Sequence, residues 1–193
     1  MKKSFLLILA ASLFFSKSNG QITKGNWIVG GNANLLYTNS KTETSDTKTT
    51  TIGLTPNIGY FIVDKFAGGV RLSFYNSQIK FGPPNNNFTK FSNYSIGPFI
   101  RYYFLQVDKQ YNIITEITYQ FGKEKVETNN SSGVNISKNN FTFSAGPVIY
   151  FNSSVGIEFL LNYSSSGNNI NNGRSNSIGI GIGLQVHLQK EKK

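Results

Sequence analysis

The last stretch of the chain, "NSIGIGIGLQVHLQKEKK", puts Ile178, Ile180, Ile182, Leu184, Val186 and Leu188 at every second residue, with glycines, Gln185 and His187 between them. A period of two belongs to a β-strand with one apolar and one polar face. The glycines at 179, 181 and 183 would suit a phosphate-binding loop only if a helix N-terminus followed, and the alternation continues instead. The same period recurs upstream. Tyr94, Ile96, Pro98, Ile100, Tyr102 and Phe104 share one face against Ser95, Gly97, Phe99, Arg101 and Tyr103. Tyr111, Ile113, Thr115, Ile117, Tyr119 and Phe121 oppose Asn112, Ile114, Glu116, Thr118 and Gln120, and residues 27–37 repeat the plan.

Alternation places eight strands near 26–38, 49–63, 66–80, 91–105, 110–122, 139–151, 154–164 and 176–189. Helix formers are scarce: after residue 20 the only alanines are Ala33, Ala67 and Ala145. The predicted class is therefore all-β. The connections are unequal. Long polar stretches near 39–48, 81–90, 123–138 and 164–176 alternate with the short links "VDKF", "QVDKQ" and "NSS". An even strand number with long loops at one end and tight turns at the other is the layout of an up-and-down antiparallel transmembrane barrel.

The N-terminus has a different meaning. Lys2 and Lys3 precede the apolar run Phe5 to Phe15, and Ser18-Asn19-Gly20 supplies small residues for cleavage. Residues 1–20 read as a secretory signal, leaving 21–193 as one exported domain. There is no cysteine, so export brings no disulfide framework. The net charge of +10 becomes +7 once Lys2, Lys3 and Lys17 are set aside, and the basic residues are scattered rather than striped. A nucleic-acid surface lacks its basic stripe; the lysines are instead solvated or face an anionic membrane surface.

A soluble eight-stranded barrel is the competing fold, and the order of side chains by depth discriminates. Trp27, Tyr37, Tyr94, Tyr102, Phe104, Tyr111, Tyr119, Phe121, Phe151 and Tyr163 are expected at the two membrane interfaces, with aliphatic or small residues between them. A soluble core has no reason to sort rings from aliphatics by depth. Pro56, Pro98 and Pro147 recur six to eight residues before short turns, a repetition that suggests bulges and an old hairpin duplication, against the plainer reading of tolerated strand prolines.

The segments "KGNWIVGGNANL" and "LTPNIGYFIVDKFAGGVRLSF" and the alternating last strand resemble the small eight-stranded outer-membrane β-barrel proteins of Gram-negative bacteria, the group with OmpA-type transmembrane domains and OmpX- or OmpW-like proteins. The last strand departs from many of them by ending on Leu188 rather than an aromatic residue. The resemblance implies residence in the outer membrane, contact with its lipid and lipopolysaccharide, assembly through barrel-insertion machinery and periplasmic chaperones, a monomer, and no cofactor.

With the apolar face outward, the charges inside the strands are Arg71, Arg101, Glu116 and Glu158, each about five to eight residues from a short turn. Two of each sign in one narrow lumen can neutralise each other as a packed ionic plug; the alternative is a gate or selectivity ring for a small solute. The only histidine, His187, is read as a lumen-facing polar residue near the periplasmic end, with no second histidine or cysteine to make a metal site. No catalytic residue is assigned. The leading function is a non-enzymatic envelope-structural or surface adhesion protein; a narrow solute channel is the alternative, and an outer-leaflet lipid-modifying enzyme a remote one.

Overall fold

A computed structural model describes residues 22–41, 46–83, 87–107, 109–129, 131–152, 154–168 and 173–189; the segment 1–20, expected to be a secretory signal, lies outside them. Among these residues the chain forms β1 (Trp27–Lys41), β2 (Asp46–Val63), β3 (Phe66–Phe81), β4 (Phe88–Tyr103), β5 (Tyr111–Thr128), β6 (Ser131–Tyr150), β7 (Val155–Asn168) and β8 (Arg174–Leu188). Each strand pairs antiparallel with its sequence neighbours, and β8 returns to β1 to close a barrel. This is the eight-stranded up-and-down architecture that the alternation predicts.

The size of the barrel follows from its register. Starting at Trp27 and crossing the ladders through Tyr60, Gly68, Ile100, Ile117, Phe143, Tyr163 and Ile178, the β1–β8 register continued upward returns to β1 at Tyr37, ten residues above the start. With a ~3.3 Å rise and ~4.8 Å strand spacing, eight strands and this stagger give a tilt of about 41° and a backbone radius of about 8 Å. Long side chains from opposite walls meet across such a lumen. The ladder between β1 and β8 itself runs only from Trp27–Leu188 to Asn32–Gly183, so the two strands part company in their outer halves.

Buried and exposed residues alternate clearly in the inner half of the wall, along β2, β4 and β5. The expected interface aromatics all point outward, from Tyr119 at 37% exposed to Tyr37 at 61%. Trp27 and Tyr37 are ten residues apart, as are Tyr111 and Phe121. That span is about 25 Å along the barrel axis at the derived tilt, the height of an apolar membrane band.

Two expectations change. The strands run further into the polar stretches than alternation indicates: β5 and β6 stay paired up to Thr128 and Ser131, so most of 123–138 is strand rather than loop. Once a hairpin is closed, each further pair satisfies backbone donors and acceptors whatever its side chains are. Nor are the prolines bulges. The register is unchanged across Pro56, Pro98 and Pro147; the ladder to the next strand skips each proline and the residue before it, then resumes in phase. All three lie on the outward face of even-numbered strands. The bulges fall instead at Phe61/Val63 and Val126/Thr128.

The inner end is capped from below. Residues 22–26 fold back under the wall, with Lys65 N–H donating to Ile22 O at 2.8 Å and Gly25 N–H to Phe61 O at 2.9 Å. Ile22 is thereby buried against the cluster of Phe61, Tyr103, Ile28, Ile114 and Val148.

Candidate functional site

The four lumen charges come from four strands, β3, β4, β5 and β7, and converge in one layer. Arg101 and Glu116 are register partners across β4 and β5, which places their side chains side by side on the inward face. Arg71 Nη1 lies 2.6 Å from Glu116 Oε1 as an ion pair, while Glu116 Oε2 accepts a hydrogen bond from Arg101 Nε at 2.8 Å and lies 2.7 Å from Arg101 Nη2. Arg101 Nη1 reaches across to Glu158 Oε2 at 3.0 Å. The four ions thus form a chain, Arg71–Glu116–Arg101–Glu158, in which the middle two are each shared. Arg101, Glu116 and Glu158 are at most 1% exposed.

Neutral groups complete the layer. Thr118 Oγ1 donates to Glu116 Oε1 at 3.2 Å, and Gln185 Oε1 accepts from Arg101 Nη1 at 2.9 Å and from the Tyr103 hydroxyl at 2.8 Å. His187 Nε2 lies 3.4 Å from the same hydroxyl, and its ring is packed against Phe61, Tyr103 and Tyr150. Beneath the guanidiniums of Arg71 and Arg101 lies the Phe99 ring, 5.7 and 5.9 Å away, which supports both cations with its π-face. Gly59 and Gly69, partners across β2 and β3, make room for that ring: a Cβ on either would come within 2.8 Å of it.

At the end of the same chain Gly183 performs a similar service for Glu158. A Cβ there would lie 2.7 Å from Glu158 Oε1. The alternating glycines of the last strand therefore include one that clears space for a lumen carboxylate.

Above the ions the lumen widens into a polar cup of about 380 Å³, open outward, with Thr55, Ser73, Gln120, Asn140 and Asn162 in its walls and Arg71 at its floor. Ser73 Oγ and Gln120 Nε2 bond at 3.0 Å, and Gln120 Nε2 also donates to Arg71 O at 3.2 Å. Arg71 Nε and Nη2 meet no acceptor among the described residues, so Arg71 is the least tied of the two arginines. Below the ions, Phe61, Tyr103 and Ile22 fill the section. From outside to inside the lumen reads as cup, ionic layer and apolar floor.

Arg71, Arg101, Glu116 and Glu158 are thus brought together in one network, and His187 is buried below them. Gln185 and Ile22 were not singled out by sequence. Gln185 sits on a polar face where any of several residues could serve, and Ile22 precedes the first alternating stretch. Among the described residues no group of three His, Cys, Asp or Glu side chains is placed to hold a metal ion.

No protein-family model and no curated protein matches the chain. Solved structures do. The outer membrane protein OprG from Pseudomonas aeruginosa matches with a TM-score of 0.52 and 11% identity over 89% of this chain and 100% of that one. Neisserial surface protein A matches with a TM-score of 0.50 and 17% identity over 84% of this chain and 97% of that one. The chain has the small eight-stranded outer-membrane β-barrel fold. At these identities the likeness fixes the architecture and leaves the activity to be argued from the site.

Proposed function

We propose that the protein is a non-enzymatic, non-conducting barrel of the Gram-negative outer membrane, exported by residues 1–20 and serving an envelope-structural or surface-binding role through its outer rim. One observation carries this reading: the ionic layer and the floor of Phe61, Tyr103 and Ile22 together occupy the lumen in a barrel of only about 8 Å backbone radius. A solute entering the cup meets Arg71 and then a section of side chains that are each bonded or packed on several sides. The buried carboxylates support the non-enzymatic reading. Glu116 and Glu158 are both engaged by arginine, and His187 is 2% exposed among rings, so none is presented to a substrate as a general base or nucleophile.

Planar-bilayer recording on the refolded protein tests this reading. The expected trace is silent apart from brief events. A steady ion-selective conductance that disappears on substituting Arg71 would show instead that the charged layer is the selectivity ring of a narrow channel.

A further inference from the structure

The outer end of the barrel wall differs in charge around its circumference. Continuing the outward face of each strand above the apolar band places Lys48 on β2, Lys80 on β3, Lys90 on β4, and Lys123 and Lys125 on β5. At the same height β6, β7 and β8 show Ser137, Asn139, Ser165 and Asn176, with Arg174 as their one outward cation among the described residues, while β1 beside β2 carries Lys41, the register partner of Asp46. The lysines therefore gather on one side.

Their pairing is unusual for a free surface. Lys48 and Lys80 are direct register partners on adjacent strands, both exposed. Like charges directly opposite on an antiparallel pair repel. Glu127 is bonded to Lys125 and is the register partner of Lys90. Those two lysines, Lys125 foremost through its hydrogen bond, hold the Glu127 carboxyl below the usual carboxylate range. Asp46 shares the outward face of β2 with Lys48, but among the described residues neither Lys48, Lys80 nor Lys123 has a salt bridge. Uncancelled positive charge thus remains on β2, β3 and β5.

Height decides what could neutralise it. Lys48 lies four residues beyond Ile52, Lys90 four beyond Tyr94, Lys123 two beyond Phe121 and Lys80 six beyond Phe74. At the derived tilt this is about 5–15 Å above the apolar band, where flexible lysine stems can reach down to a headgroup. Small polar side chains lie between them: Thr50, and Asn76 whose Nδ2 donates to Ser92 Oγ at 2.9 Å.

We propose that the outer ends of β2 to β5 form a docking face for the phosphorylated headgroup of an outer-leaflet glycolipid, with one phosphate between Lys48 and Lys80. Lysine suits this task as a compact charge on a long stem. The phosphate relieves the repulsion of that pair, and the face gives the barrel a fixed lipid neighbour on one side only. The inference rests on the outer-membrane placement proposed above and is independent of whether the lumen conducts.

The test uses the full mature chain refolded in neutral phosphatidylcholine nanodiscs, doped with a diphosphorylated glucosamine-based glycolipid or with its dephosphorylated form. Lipid retention is read by native mass spectrometry and stability by thermal unfolding. The parent should retain the diphosphorylated lipid and melt later with it. Lys48→Gln/Lys80→Gln should retain it roughly ten- to thirty-fold less, yet melt no earlier than the parent in neutral discs, since the repelling pair is gone. Lys80→Gln alone should show an intermediate loss. Lys65→Gln/Lys109→Gln, at the inner end, should behave as the parent. Equal retention by the outer double variant, an equal loss in the inner one, or equal binding of the dephosphorylated lipid would overturn the proposal. Equal protection by free inorganic phosphate would assign the lysines to a soluble anion instead. Silent or steady conductance in the same preparations reports on the plug and leaves this result standing.

Discussion

Glu116→Gln is the most informative perturbation, because Glu116 is the anion shared by two arginines. Glutamine keeps the volume and an acceptor but removes the charge that Arg71 meets at 2.6 Å and Arg101 at 2.7 Å. Arg71 is then left without its anion and Arg101 keeps only Glu158, and removing one partner of a buried pair costs about 3–5 kcal/mol. The order of the chain gives a sharper contrast between two double variants with the same net charge. Arg71→Met/Glu116→Gln removes an end pair and leaves Arg101–Glu158 intact at 3.0 Å, so it should recover most of the single-variant loss. Arg101→Met/Glu116→Gln removes the middle pair, stranding Arg71 and Glu158 at opposite ends and taking the Arg101 donor from Gln185. It should be no more stable than Glu116→Gln alone. Urea unfolding in lipid vesicles, followed by fluorescence of Trp27, the single tryptophan, reads all three. Two double variants of equal stability, within about 0.5 kcal/mol, would mean that the ions act as independent pairs and would refute the chain.

Ile100→Arg, on the outward face between the girdle residues Tyr94 and Tyr102, should cost about 2–4 kcal/mol in lipid, measured by the same unfolding assay; unchanged stability would reverse the inside and outside faces. Gly97→Ala should destabilise by crowding rather than charge, because a Cβ there would sit 1.8 Å from Tyr119 O, and it should do so in detergent and lipid alike. Phe99→Ala removes the ring beneath both arginines and should cost about 3–5 kcal/mol; brief openings in bilayer recordings should become more frequent if the ring helps seal the lumen.

The sequence alone determined the wall. A period of two needs no partner to be visible, since it arises from the pleat of a single strand, and so Ile100, Ile117 and Ile182 could be assigned outward and Arg71, Arg101, Glu116 and Glu158 inward. The ten-residue separation of the outward rings Trp27 and Tyr37 was legible too, because it is counted along one strand. Tertiary structure decided everything that depends on which residues of different strands meet. Four charges of two signs can be counted in the chain, but whether they form two pairs or one shared chain depends on stagger, and a one-residue change of register would move Glu116 away from Arg101. The prolines show the same limit: their spacing is visible, yet only the ladders reveal that the register passes through them unshifted. The cap at Ile22 and the facing of Lys48 by Lys80 likewise join residues far apart in the chain. Such contacts are fixed by barrel closure, a property of all eight strands at once that no local period encodes.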